Sequence, residues 1–177
     1  MFSPPRFARF LAVAALVFAA GCGDNRSRET GAVASAAVKT VEDRFPIKVG
    51  DRTIQMQLAA QSDEMQTGLM YRQTMGTDEG MLFLYRSPQQ MNFWMHNTYL
   101  HLDIGYFDAS GELKEIYPMY PRDERTVSSH SKSLQFALEM NQGWYQQAGV
   151  KTGAHLDLKA VAEALKARGL KPADWGL

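Results

Sequence analysis

Apolar positions in this chain fall into short, strand-length runs along most of its length and into a helical repeat only near the end. The first run differs from the rest. "FLAVAALVFAA", Phe10 to Ala20, is unbroken and follows Arg6 and Arg9 with no acid before it. A helix needs about 20 apolar residues to cross a bilayer, so this shorter run reads as the core of an export leader. Residues 22–40 are small and polar without period and predict a flexible tether. From Val41 the pattern changes. "FPIKVGDRTIQMQLA" predicts two strands around Gly50-Asp51. "QSDEMQTGLMYR" predicts a short helix with Ser62 as N-cap, Asp63 and Glu64 in the first turn, and Gly68 weakening the last. "GMLFLY", "MNFWMHNT", "LDIGYFD", "ELKEIYPM" and "SLQFALEM" are strand-length, separated by turn residues such as Ser87-Pro88 and Ser110-Gly111. "GWYQQAGV" predicts one or two helical turns. In "HLDLKAVAEALKARGLK", Asp157 caps a helix with Leu158, Val161, Ala162 and Leu165 on one face and Gly169 at its C-terminal end. The expected fold is mainly β, α+β by content. It is a compact antiparallel β-sandwich or barrel with one short inserted helix and a C-terminal helix.

Composition narrows the class. A chain of 177 residues, 45% hydrophobic and 21% charged, has room for one domain with appendages. Nineteen basic residues balance nineteen acidic ones, so no nucleic-acid partner is expected. Cys22 is the single cysteine, which excludes an internal disulfide. Its setting, "LVFAAGC", resembles the lipobox of bacterial lipoproteins, with Ala19 where Leu is usual. The resemblance implies cleavage before Cys22 and lipidation of its thiol. Several acyl chains, at about 0.8 kcal/mol per buried methylene, then hold the protein firmly on a membrane. Gly23 rather than Asp follows the cysteine, which by the sorting rule of enterobacterial lipoproteins points to the outer membrane. The alternative is an ordinary secretory leader with Cys22 incidental. The expected organisation is a lipoprotein signal peptide over 1–21, a tether over 22–40, a β-rich domain over 41–158, and a C-terminal helix and tail over 159–177. The protein is expected to face the periplasm as a monomer.

"FWMHNT", Phe93 to Thr98, is the run that raises a functional question. If Met91 to Thr98 is extended, Met91, Phe93, Met95 and Asn97 share one face, and Asn92, Trp94, His96 and Thr98 the other. The second face sets an indole beside an imidazole and a hydroxyl, the mixed lining typical of sites for small polar molecules. The competing reading is a core strand whose polar end is merely solvated.

Other chemistry finds less footing. His96, His101, His130 and His155 show no ligand spacing such as H-E-x-x-H, and His96 and His101 have opposite strand parity. No metal site and no cofactor is expected. Thioethers suit Cu(I), and Met70, Met75, Met81, Met91 and Met95 are numerous enough to raise copper handling, though methionine is also a common core filler. No G-x-S-x-G and no glycine-rich phosphate loop is present.

"GLMYR", "GMLFLY", "FWMHNT", "LDIGYFDASGELKEI" and "ALEMNQGW" together, in this order and spacing, resemble the domain of unknown function 192 over about Ile47 to Leu158. The resemblance implies a compact, mainly β domain of unassigned activity. It implies a polar signature falling on Arg72, Trp94, Asn97, Thr98, Asp103, Glu139 and Asn141. Two positions depart from the family pattern: His96 stands where Lys is usual, and His101 where Pro is usual. A histidine is a cation only near or below about pH 6.5. The expected function is a membrane-tethered binding or accessory module for a small polar or anionic ligand, held by Arg72, Trp94, His96, Asn97, Thr98, Asp103 and Glu139. The alternatives are a hydrolytic enzyme using Asp103 or Glu139 as general base, a copper handler, and a purely structural lipoprotein. No catalytic set is recognisable.

Overall fold

The computed structural model describes residues 37–177. The leader, Cys22 and most of the tether lie outside the described residues. β1 (Phe45–Val49) and β2 (Arg52–Ala59) form the hairpin expected around Gly50-Asp51, with Gly50 at φ 56, the left-handed conformation such a turn demands. α1 (Ser62–Thr67) follows. Its N-cap is Gln61 rather than Ser62, because the Glu64 carboxylate turns back to accept from the backbone N–H groups of Ala60 and Gln61. The remaining strands are β3 (Glu79–Gln89), β4 (Asn92–Phe93), β5 (Leu102–Asp108), β6 (Leu113–Met119), β7 (Val127–Ser128) and β8 (Leu134–Asn141). Two helices, α2 (Trp144–Ala148) and α3 (Leu158–Ala167), and a 3₁₀ turn over Pro172–Trp175 complete the chain. Asp157 caps α3 by accepting from the Ala160 N–H at 3.0 Å, and Gly169 follows the helix at φ 70.

Six strands make one mixed sheet in the order β1-β2-β3-β8-β5-β6, and β4 pairs with β7 in a separate ribbon. The fold is mostly β with helices added, as the pattern predicts. One pairing departs from an all-antiparallel arrangement: β2 and β3 run parallel. The reason lies between them. Parallel neighbours need a long crossover, and the segment carrying α1 supplies it. The edge strands β1 and β6 do not meet, so the sheet is barrel-like but open.

Both sheet faces are covered, which explains why "GMLFLY" and "FALEM" are apolar without alternation. On one face Leu82, Leu84, Phe136, Leu138 and Met140 pack with Trp144, Val161, Leu165 and Trp175. On the other, Met81, Phe83, Ala137, Ile104 and Tyr106 meet Leu69, Met91, Phe93, Met95 and Leu100. This second core lies beneath the segment after α1 and the chain between β4 and β5.

Candidate functional site

Strand parity on β8 decides where the acid goes. Ala137 belongs to the second core and Leu138 and Met140 to the first, so Glu139, opposite Met81 on β3 and Ile104 on β5, points into the second core. A carboxylate at the centre of a sheet is expensive unless it is paired. Glu139 is 4% exposed, and its carboxyl accepts no hydrogen bond and meets no cation among the described residues. Burial alone pushes it up to about 8, so at neutral pH it is mostly the uncharged acid. Among the described residues, the sealed polar atom that lacks a partner is Arg168 Nε and not a Glu139 oxygen. The Glu139 carboxyl is open on one side, to a cleft of ≈ 120 Å³.

Two walls enclose that cleft. Residues 65–70, the carbonyl end of α1 and the turn after it, form one; Asn92, Phe93, Trp94 and Thr98 form the other; Phe83, Tyr85 and Glu139 of the sheet make the floor. Gly68 sits in the first wall at φ 47, and a Cβ there would press on the Phe83 ring at 3.1 Å. Phe83 and Phe93 meet edge to face at 5.0 Å. Tyr85 beside the acid is raised above its ordinary value, first by burial and then by the Glu139 charge. One clamp joins the walls: the Tyr71 N–H donates to the Asn97 carbonyl at 2.8 Å, and Asn97 Nδ2 donates to the Tyr71 hydroxyl at 3.0 Å. Both residues hold positive φ, 64 and 50, conformations that persist only where surrounding contacts enforce them.

The expected extended run therefore survives only in part. Met91, Phe93 and Met95 are buried while Asn92 and Trp94 face outward, as alternation predicts. Only Asn92 and Phe93 are strand, and the chain then turns at His96-Asn97. The left-handed Asn97 reverses the parity, so Thr98 is buried and Asn97 is not, contrary to the predicted faces. The indole does lie beside the imidazole: Trp94 and His96 stack at 4.8 Å with planes 16° apart.

Of the residues singled out in the sequence, Trp94, Thr98 and Glu139 line one cleft. The others lie elsewhere. Arg72 is 3.7 Å from Glu42. His96 Nδ1 lies 2.7 Å from Glu124 Oε1, and Asn97 serves the wall clamp. Asp103 shares a register position with Met140, on the opposite face of the sheet from Glu139, and accepts the Gly143 N–H at 2.7 Å. Burial raises it and that hydrogen bond lowers it, leaving it above its ordinary value. Asn141 Nδ2 donates to the carbonyls of Met75 and Gly76, a loop anchor. Tyr85, Phe83 and the wall at 65–70 were missed; only the parity of β3 hinted at Tyr85, through its place two residues after Phe83. Among the described residues no three His, Cys, Asp or Glu side chains gather as a metal set. Met81, Met91 and Met95 are core, each almost fully buried. A wider depression of ≈ 560 Å³ beside the β1–β2 turn holds Arg52, whose Nε donates to the Ala148 carbonyl.

A family profile described as an uncharacterized ACR, DUF192, matches residues 45–158. The chain belongs to the DUF192 family. Two solved structures carry the same fold. One is a protein of unknown function from Novosphingobium aromaticivorans DSM 12444, 31% identical, with TM-score 0.62, covering 71% of this chain and 94% of that one. The other, a candidate transcription regulator from Sinorhizobium meliloti 1021, is 32% identical with TM-score 0.58, covering 60% of this chain and 82% of that one. No curated protein matches the chain. The DUF192 match ends at Leu158, so α3 after its first residue and the buried Trp175 lie beyond the matched segment.

Proposed function

We propose that this DUF192 protein is a membrane-tethered envelope lipoprotein whose domain binds a small polar ligand in the Glu139 cleft. One observation carries the binding reading: a carboxyl buried at the centre of a sheet has no partner among the described residues and opens on a cleft lined by Phe83, Tyr85, Phe93 and Trp94. Buried polar groups are normally satisfied, and a polar group with a shifted pKa converging on a cleft is a usual mark of a ligand site. The cleft lining includes no Lys, Arg or His, which favours a donor-bearing ligand over an anion. Asp103 and Glu139 occupy opposite sheet faces, so the hydrolytic alternative rests on one of them alone as general base. Regulation of transcription is not carried over from the Sinorhizobium relative, because the charge balance of nineteen each does not point to nucleic acid.

Thermal unfolding of the full-length chain against a panel of sugars, amino acids, amines and phosphates tests binding. A ligand held only by the folded state adds about 2.7 kcal/mol at a hundredfold excess over its Kd. Trp94→Ala, at an exposed side chain, is expected to leave the unliganded melt within about 0.5 kcal/mol while cutting any ligand-induced shift. A panel that leaves the melt unmoved overturns the binding reading. The tether reading rests on the leader and Cys22. In a bacterial host fed a labelled fatty acid, the wild type is expected to carry label in the outer-membrane fraction. Cys22→Ala is expected to carry none; equal labelling of both removes the lipoprotein reading.

A further inference from the structure

We propose that the Glu139 cleft receives a primary ammonium group, the head of a small alkyl amine. This rests on the binding reading above and names its ligand class. Three features of the cleft point the same way. Its one ionisable acid has no counter-ion, and neither wall offers a competing cation. On the same sheet face the phenols of Tyr85 on β3 and Tyr106 on β5 feel the Glu139 charge, while Glu139 itself is shifted by burial alone. Aromatic rings line the floor, Phe83 and Tyr85, and one wall, Phe93 and Trp94, and aromatic rings attract ammonium groups through their quadrupoles. The volume, ≈ 120 Å³, admits a head group and a few methylenes and little more. A carboxylate or a phosphate would meet an acid with no basic partner, and a sugar would bring donors without charge, whereas an ammonium supplies both the missing charge and three donors.

Binding then follows a balanced exchange. The neutral Glu139 acid loses its proton to solvent and the carboxylate pairs with the ammonium, one proton leaving for each amine bound. Below the titration of Glu139, near 8, each unit of pH raises affinity about tenfold; above it the gain stops. A neutral ligand gives no such rise, and an anion gives the reverse.

Calorimetric titration of the full-length chain with ethylamine, acetate and glycerol, at pH 6, 7 and 9 and in buffers of differing ionisation heat, tests this. The expected result is saturable ethylamine binding with close to one proton released at pH 6, about tenfold tighter at pH 7, and little gained above pH 8. Glu139→Gln, checked for folding by circular dichroism, is expected to lose at least tenfold in affinity and all proton release. Trp94→Leu keeps the acid and loses the ring, so it is expected to weaken ethylamine with proton release intact. Acetate or glycerol binding in place of ethylamine overturns the ammonium class and leaves the cleft a site. Ethylamine binding that is flat with pH and indifferent to Glu139→Gln also overturns it. Silence from all three probes and from the wider panel overturns both readings. If ethylamine binds, vesicles with ethanolamine head groups separate a membrane-surface amine from a soluble one, and either source supports the class.

Discussion

Glu139 occupies a position where a sheet core ordinarily holds a leucine or a methionine, and its consequences reach the stability of the whole chain. The folded state keeps the carboxyl protonated to about pH 8, while the unfolded chain releases that proton near 4.5. Between those values the folded state binds more protons, so its stability is full below 4.5 and declines as pH rises through 8. Glu139→Gln removes that dependence. Denaturant melts of both proteins are expected to show the wild type losing on the order of 4 kcal/mol against the variant between pH 4 and pH 9. The sequence pattern marked this residue through its place in "ALEMNQGW", but could not show that it lacks a partner. That depends on Asp103 lying on the other face of the sheet and on Arg72 lying against Glu42. Parity alone separates Asp103 from Glu139 once the β5–β8 register is known. Register is a non-local property, and no local signal in "LDIGYFD" discloses it.

At the scale of elements, the short connections carry the structure that pattern reading leaves out. The apolar period of "MNFWMHNT" is strand-like as far as Met95, yet hydrogen bonds from outside the run end it: the Met95 N–H donates to the Asp123 carbonyl and the Arg122 N–H to that of Thr98. Asn97 then takes a left-handed conformation that asparagine tolerates better than most residues. Asn97→Ala is expected to cost about 1–3 kcal/mol in a denaturant melt, since it leaves the strain and removes the bond to Tyr71. Asn97→Gly relieves the strain and is expected to cost less. α1 is fixed from the other side. Arg168, at the end of α3, donates to the Leu58 carbonyl and pairs with Glu64, while Glu64 also accepts from the start of α1. Burial raises Glu64, but Arg168 and the two N–H groups outweigh it and hold the carboxylate below its ordinary value. Arg168→Ala leaves that acid buried without its cation and is expected to cost about 3–5 kcal/mol; Arg168→Met, which fills the space, is expected to cost less when paired with Glu64→Gln. Nothing in the "ARGL" stretch distinguishes this arginine from a solvated one.

For the molecule as a whole, the hydrophobic pattern was enough to indicate a β-rich domain with a capped C-terminal helix, because the six strands of the main sheet carry enough apolar residues to identify themselves locally, while the two-residue β7 does not. The parallel β2–β3 pair follows from the crossover that α1 sits in, which periodicity does not encode. The C-terminal tail was legible only as polar residues after Gly169, yet it seals the first core. Trp175 is 1% exposed, its indole N–H donates to the Leu84 carbonyl, and its own carbonyl accepts from Gln135 Nε2. Trp175→Ala is expected to lower stability by about 3–5 kcal/mol, read by urea titration. The first core thus holds the sheet against its helices. The second core, less sealed, carries the acid and the cleft, and the functional reading depends on that division. A carbon-13 nuclear magnetic resonance titration of the Glu139 side-chain carboxyl, assigned by its loss in Glu139→Gln, tests it most directly. The account predicts a midpoint near 8 in the unliganded protein. A midpoint near 4.5 would contradict it, for the carboxyl would then be solvated or paired, and the cleft would hold no unsatisfied acid to offer a ligand.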